Sequence, residues 1–179
     1  MKRFLAMILT LVFLVALVSC EKSGDKKENG DNEKAEFDTF ATANEIVEDN
    51  ALSNGFLYLS NAEKDEDKLD DDLIRSLYGD IASAPDFTQV EEYAVFLGDS
   101  SINPCEFGIF KMAKDADIET FKLYLQARID GKIEHARHYP EIDDEAWTTS
   151  KIDSKNGYIW YFAVKGENES LDKEIKEKV

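Results

Sequence analysis

The stretch TTSKIDSKNGYIWYFAV, residues 148–164, contains the clearest fold signal in this chain. The dipeptide Asn156-Gly157 lies between two strand-like runs, and it is a preferred two-residue turn of a β-hairpin because its residues accept a positive φ. This turn would pair Lys155 with Tyr158. The sequence therefore predicts an antiparallel hairpin whose register can be read from the turn.

The register determines which side chains share a face. The opposed pairs are Asp153 with Trp160, Lys151 with Phe162, and Ile152 with Tyr161. One face is then apolar on both strands, and the other mixes aromatic and charged side chains. A strand that is apolar on both sides usually lies inside a sheet with a helix over each face, and lysine stems readily cover aromatic rings. We expect core packing here. The alternative is a ligand platform that stacks a sugar or clamps a peptide, formed by Tyr158, Trp160 and Phe162.

Two more strands and a long helix precede this hairpin. Residues 92–98 and 107–113 are strand-like, and the turn-rich segment GDSSINPC connects them, which predicts a second hairpin. From Asp117 to about His138, apolar residues recur at spacings of three and four, which predicts an amphipathic helix. Gly131 costs about 1 kcal/mol relative to alanine inside a helix, which allows a bend there.

Shorter helices flank these elements. The predicted ones run from Asp38 or Thr39 to about Asn50, from Asp70-Asp71-Asp72 to a stop at Gly79, and from Glu169 to Val179. Carboxylates in a first helical turn complement the helix dipole, which explains the aspartate run without a calcium site. The predicted fold class is α+β, with an antiparallel sheet of about four strands in two hairpins. One long and several short helices pack with it, in the order α-α-β-β-α-β-β-α.

Cysteine and histidine are the candidates for chemistry. Cys105 is the single thiol of the part expected to fold, and His135 and His138 stand three residues apart near carboxylates, a spacing that could hold zinc. Their angular positions on the long helix predict exposed side chains instead. A thiol and base formed by Cys105, His135 and His138 is the alternative, typical of a small envelope hydrolase or thiol enzyme. We expect no catalytic residue, metal or cofactor.

The first twenty residues, MKRFLAMILTLVFLVALVSC, indicate where the protein goes. Lys2 and Arg3 precede an apolar run, and small residues come before Cys20, as in a lipoprotein signal peptide whose cysteine is diacylated before cleavage. About 15 residues run without a charge, whereas a membrane span needs about 20, so we expect cleavage rather than a retained membrane helix. Two acyl chains hold a protein stably at a membrane.

Residues 21–36, EKSGDKKENGDNEKAE, contain one apolar residue and cannot bury enough surface to order themselves. A flexible coil of this length spans on the order of 20 Å. The expected organisation is a signal peptide in residues 1–19, the lipidated Cys20 with a disordered tether in residues 20–36, and one globular domain in residues 37–179.

The chain is strongly acidic, with 38 acidic against 21 basic residues and a formal net charge of -17. Loss of Lys2 and Arg3 with the signal peptide leaves 19 basic residues and a net charge near -19. Such a surface repels phosphate backbones and anionic lipid headgroups. We therefore expect no nucleic-acid partner.

The chain resembles a bacterial family of small lipoproteins known only as a domain of unknown function. The resemblance covers roughly residues 69–178 and rests on the lipidation motif and tether, on LIRSLYGD followed by VEEYAVFLGDSSINPCEFGIFKMAKDAD, and on the GYIWYFAV strand. The long helix contributes Phe121, Leu125 and Arg128. The resemblance implies an extracytoplasmic lipoprotein, mostly of Gram-positive bacteria. It implies no catalytic residue, and Cys105 and Trp160 match no motif of the family.

Together these features predict a lipoprotein outside the cytoplasm, held to the cell membrane by an N-terminal diacylglyceryl anchor. Its domain is expected to be a non-catalytic binding or accessory module of the cell envelope, with an envelope protein or a glycan as partner. Both a plasma membrane and an outer membrane fit the pattern.

Overall fold

The computed structural model describes residues 37–79 and 83–179 of the chain. The helices are α1 (Thr39–Asp49), α2 (Asp71–Tyr78), α3 (Ile118–His138), α4 (Glu145–Thr148) and α5 (Asn168–Lys178). The strands are β1 (Gly55–Leu59), β2 (Val90–Gly98), β3 (Glu106–Met112), β4 (Ile152–Lys155) and β5 (Tyr158–Ala163). They form one antiparallel sheet in the order β1-β2-β3-β5-β4. The α+β class is confirmed, but the sheet has five strands where about four were expected.

The β4–β5 hairpin has the predicted register. Residues 152–155 pair with residues 158–161, and the turn residues Asn156 and Gly157 have φ angles of 52° and 85°. Both angles lie in the left-handed region that this tight turn requires. Pairing of β4 with β5 begins only at residue 152, so Lys151 precedes the ladder. Its predicted partner Phe162 has no opposing residue on β4 and pairs with Phe107 on β3.

Strand β1 is the strand that the sequence pattern did not reveal. Its five residues, GFLYL, pair with β2 alone and form one edge of the sheet. They show no clear alternation, since Phe56 is exposed and its four strand neighbours are partly buried. An edge strand of this kind is stabilised by its partner strand rather than by its own sequence.

The two predicted hairpins join through the middle of the sheet. Strands β2 and β3 pair as expected, with one irregularity between Val90 and Glu92, and β3 then pairs with β5. In that second pair Ile109 lies opposite Trp160. Strands β3 and β5 are therefore interior strands that can bury both of their faces.

Helices cover both faces of the sheet and create two apolar cores. Helices α2, α3 and α4 cover one core, which contains Val95, Phe110, Ile159 and Tyr161. Helices α1 and α5 cover the other, which contains Phe96, Ile109, Trp160 and Phe162. Full burial of a large apolar side chain contributes about 1.5–3 kcal/mol relative to exposure. The alternation along β5 is what divides its aromatic side chains between the two cores.

Aspartate side chains cap three of the helices, close to the helix starts that the sequence predicts. Asp38, Asp70 and Asp117 each accept hydrogen bonds from backbone N–H groups in the first turn of α1, α2 and α3. Helix α3 continues through Gly131, where an added Cβ would meet no atom within 4 Å. No helix within residues 37–79 and 83–179 is long and apolar enough to cross a membrane.

Candidate functional site

Four loops meet at one end of the sheet, which we call the loop end. The register of the strand pairs brings the start of β1, the end of β2, the start of β3 and the end of β5 to this edge. The backbone N–H of Asp99 donates to the carbonyl of Asn54 at 3.1 Å, and that of Asp143 donates to the carbonyl of Ile102 at 2.8 Å. These bonds join the loop between β2 and β3 to the loops that follow α1 and α3.

Cys105 lies at the loop end, half-buried, and borders three pockets, of which two are also lined by charged side chains. Its Sγ packs closely on Gly98, because a Cβ added to that glycine would lie 2.8 Å from the sulfur. Burial raises the pKa of the Cys105 thiol, and the negative charges of Glu106 and Asp99 raise it further. The group is therefore a protonated thiol at neutral pH and a poor nucleophile.

One of these pockets lies between the β2–β3 loop and α3, and we call it the α3 pocket. Its volume is about 280 Å³. Helix α3 contributes Arg128, Lys132 and His135, which share a helix face because residues three and four apart are neighbours. Glu106 from β3 and Trp147 from α4 complete the polar and aromatic lining.

Arg128 and Glu106 form a bidentate ion pair in this pocket. The Arg128 Nε donates to Glu106 Oε1 at 3.1 Å, and Nη2 donates to Oε2 at 2.7 Å. Burial alone would lower the pKa of Arg128, but the Glu106 carboxylate raises it overall, so the guanidinium stays charged. The Glu106 side chain is only 4% exposed, and a buried charge of this kind needs such a partner.

Two tyrosines extend the ion pair into the core. The Tyr161 hydroxyl donates to Glu106 Oε1 at 2.5 Å, and the Tyr78 hydroxyl lies 3.1 Å from that of Tyr161. Burial raises the pKa of both hydroxyls, and the nearby carboxylate raises it further. Both groups are therefore neutral. The network fastens α2, α3, β3 and β5 to one another below the pocket.

Lys132 is a second cation, one helical turn after Arg128. Its Nζ lies 5.6 Å from the centre of the Trp147 ring, a cation–π arrangement. Within the described residues it has no ion-pair partner. Burial lowers its pKa, the charge of Arg128 lowers it further, and Glu106 partly offsets both. Glu106 neutralises one of the two cations, so Glu106, Arg128 and Lys132 together leave one excess positive charge in the pocket lining.

Trp147, which lines the same pocket, carries a donor without a hydrogen-bond partner among the described residues, and this indole Nε1 is itself buried. The residue is 2% exposed, and its indole Nε1 has no hydrogen-bond partner in the described part of the chain. An indole N–H can only donate, and a buried donor without a partner costs about 1–3 kcal/mol.

The second pocket, about 450 Å³, lies on the side of Cys105 that faces the ends of α1 and β5. Its charged lining is mainly acidic and includes Asp49, Asp143 and Glu167. Its one lining cation, Lys165, already pairs with Asp143 at 2.5 Å and with Glu145 at 3.2 Å. The cationic group of this pocket is therefore already neutralised.

The two histidines occupy different environments. His135 lines the α3 pocket together with Cys105, and its ring centre lies 4.7 Å from that of Tyr139. His138 is exposed, and its Nδ1 lies 2.9 Å from the Glu134 carbonyl. The predicted exposure of both histidines is confirmed. Among residues 37–79 and 83–179, no cluster of three or more His, Cys, Asp or Glu side chains could hold a metal ion.

The alternative prediction of a ligand platform is wrong, because its three residues are buried. Tyr158, Trp160 and Phe162 are 7%, 0% and 1% exposed and belong to the core beneath α1 and α5. The Trp160 Nε1 donates to Asp172 Oδ1 on α5 at 2.9 Å. Core packing, which we expected, therefore describes this face, because an interior strand with helices on both sides has no face left for a ligand.

The residues of the α3 pocket were largely missed by sequence reasoning. A signal for Glu106 was present, because it is a carboxylate directly before an apolar strand. Arg128 and Lys132 stand four residues apart beside the apolar stripe of the long helix. This spacing places two cations on one helix face, which is a signal that the sequence analysis did not use. Trp147 lies in the four-residue helix α4, which the sequence pattern did not reveal.

The signal peptide, the lipidation of Cys20 and the tether concern residues 1–36, which lie outside the described residues. Comparison with protein-family models, with curated proteins and with solved structures finds no match to this chain.

Proposed function

We propose that this chain is an extracytoplasmic lipoprotein whose domain, residues 37–179, is a non-catalytic binding or accessory module of the cell envelope. The α3 pocket is its binding site. The observation that carries the binding role is the unpaired ammonium of Lys132 in a pocket of a strongly acidic chain. The lipoprotein role rests on the pattern of residues 1–20.

The chemistry of the α3 pocket favours binding over catalysis. The Cys105 thiol has a raised pKa, whereas a catalytic cysteine needs a lowered one. Arg128 is held by Glu106 and cannot serve as a proton donor or acceptor near neutral pH. Such groups attract and orient a ligand. A thiol enzyme that pairs Cys105 with His135 remains the second candidate, because both residues line this pocket.

Anchoring is tested by metabolic labelling with an alkyne fatty acid in the native host. The wild-type chain is expected to take up label and to sediment with membranes, and Cys20→Ala is expected to lose the label. Cys105→Ala is the matched control and should keep both. Label retained in Cys20→Ala would contradict the anchor.

The binding role is tested by in-cell photo-crosslinking with a photoreactive amino acid. Position Ile102 is suitable because it is 54% exposed at the loop end, and Leu123, 69% exposed on α3, is the control position. We expect an envelope component to be captured from Ile102 only, and to be lost when Lys132→Met is added. Equal capture from both positions, or none from Ile102, would contradict a binding site at the loop end.

A further inference from the structure

We propose that the α3 pocket binds a small organic carboxylate, with the carboxylate group on Lys132 and the apolar part of the ligand against Trp147. This assignment rests on the proposed binding function and adds the chemical class of the ligand. It follows from the charge of the pocket, from its unused donors and from its size.

The charge of the pocket selects an anion. The charged side chains that line the pocket are the cations Arg128 and Lys132 and the carboxylate of Glu106, and the Asp99 carboxylate acts on Cys105 from outside this lining. The local excess of one positive charge stands against a chain of net charge -17. A single negative charge on the ligand would balance the site, which favours a monoanion over a doubly charged phosphate.

The unused donors point to an oxygen ligand. The Lys132 ammonium carries three N–H donors and has no ion-pair partner within the described residues. Arg128 donates two of its five N–H groups to Glu106, which leaves three for other acceptors. A carboxylate has two oxygens that accept several such bonds.

The size and the walls of the pocket limit the rest of the ligand. A volume of about 280 Å³ lies just below the range of about 300–1,000 Å³ typical of drug-sized ligands, which suits a smaller, metabolite-sized molecule. Leu97, Ile142 and Trp147 contribute apolar surface to its walls. An apolar group beside the carboxylate would cover that surface. Inorganic phosphate offers no such group.

The test uses the full-length chain, purified in detergent and labelled with ¹⁵N. Its two tryptophans provide two indole N–H signals, and Trp147→Phe identifies the signal of Trp147. The probes are acetate, butyrate and benzoate, each with its neutral amide, and inorganic phosphate. We expect butyrate and benzoate to shift the Trp147 signal saturably, and the amides and phosphate to shift it far less.

The variants are Lys132→Met and, as a matched control on the same helix, Lys122→Met, whose lysine pairs with Glu119 outside the pocket. Loss of a charge-assisted hydrogen bond predicts about tenfold weaker binding or more in Lys132→Met and no change in the control. The Trp160 signal reports whether each variant is folded.

Three outcomes would overturn the carboxylate assignment: no saturable shift with any carboxylate, equal shifts with the amides, or unchanged affinity in folded Lys132→Met. Tighter binding of phosphate than of benzoate would also overturn it. The crosslinking at Ile102 is scored separately. A partner captured there without carboxylate binding would reject the ligand class alone. The absence of both a captured partner and carboxylate binding would reject the binding module.

Discussion

The guanidinium of Arg128 on α3 and the carboxylate of Glu106 on β3 meet through two hydrogen bonds, at 3.1 and 2.7 Å. This pair does more than join a helix to the sheet. It neutralises one of the two cations on the pocket face of α3, and it leaves Lys132, one turn further on, as the charge available to a ligand.

Removal of either partner alone should destabilise the fold strongly. Glu106→Leu leaves the Arg128 charge buried without a partner, and Arg128→Met does the same to the carboxylate. We expect each to lower the free energy of unfolding by about 3–5 kcal/mol, and the double variant to cost less than their sum. Urea denaturation of the four proteins measures the coupling.

An exposed pair on the same helix provides the comparison. The ion pair of Lys122 with Glu119 should show a coupling of about 0–1 kcal/mol in the same cycle, because its carboxylate side chain is 85% exposed. Additive costs at Arg128 and Glu106 would contradict the role assigned to that pair.

The Cys105 thiol should react slowly with iodoacetamide at pH 7. Its raised pKa keeps the thiolate fraction low, and the rate should climb as the pH passes above the usual thiol range. The measurement is the alkylation rate of Cys20→Ala, in which Cys105 is the single cysteine, against pH. The same chain unfolded in urea should react several-fold faster at pH 7. Rapid reaction of the folded chain at pH 7 would instead support the thiol-enzyme candidate.

The Trp160→Ala variant should be much less stable than the wild-type protein. The residue is completely buried and hydrogen-bonded to Asp172, so the cavity and the lost packing predict a cost of about 3–5 kcal/mol in the free energy of unfolding. Leu123→Ala, on the exposed side of α3, should change stability by about 0.5 kcal/mol or less. Comparable denaturation midpoints for the two variants would show that Trp160 is not a core residue.

Asp117→Ala should lower the melting temperature in a pH-dependent way. The Asp117 carboxylate accepts the backbone N–H of Thr120, and the pKa of this carboxyl is lowered chiefly by that bond. A lowered carboxyl pKa adds stability above the ordinary value of 3.8, and this stability is lost as the pH falls through the folded-state pKa. The difference between variant and wild type, followed by circular dichroism, should therefore be larger at pH 7 than at pH 3.

A pH-independent difference would contradict this account of the cap. Asp117→Asn is the matched control, because asparagine is also a good N-cap but does not titrate. The melting temperature of Asp117→Asn should also lie below that of the wild type at pH 7, but by less than that of the alanine variant.

Much of the local structure was predictable, because its determinants lie within a few residues of one another. The turn at Asn156 and Gly157 set the hairpin register, and the aspartate caps set the starts of three helices. The apolar spacing along α3 predicted its length to within about one residue, as expected for a long periodic segment.

The candidate site was not predictable in the same way. The two members of the ion pair are 22 residues apart in sequence, and the two tyrosine hydroxyls below it are 83 apart. Whether the aromatic face of β5 was a platform or a core depended on α1 and α5, which pack over it from distant parts of the chain. The sequence pattern is compatible with both possibilities and favours core packing, and the packing of α1 and α5 decides for it.

The sequence by itself determined the turns, the caps, the amphipathic helix and the α+β class, because backbone dihedral preferences and side-chain periodicity act over a few residues. Only the tertiary structure decided the strand order, the edge strand β1, the burial of Trp160 and the meeting of Arg128, Glu106, Lys132 and Trp147 around one pocket. These features arise from contacts between segments far apart in the chain, where packing and burial outweigh local preference.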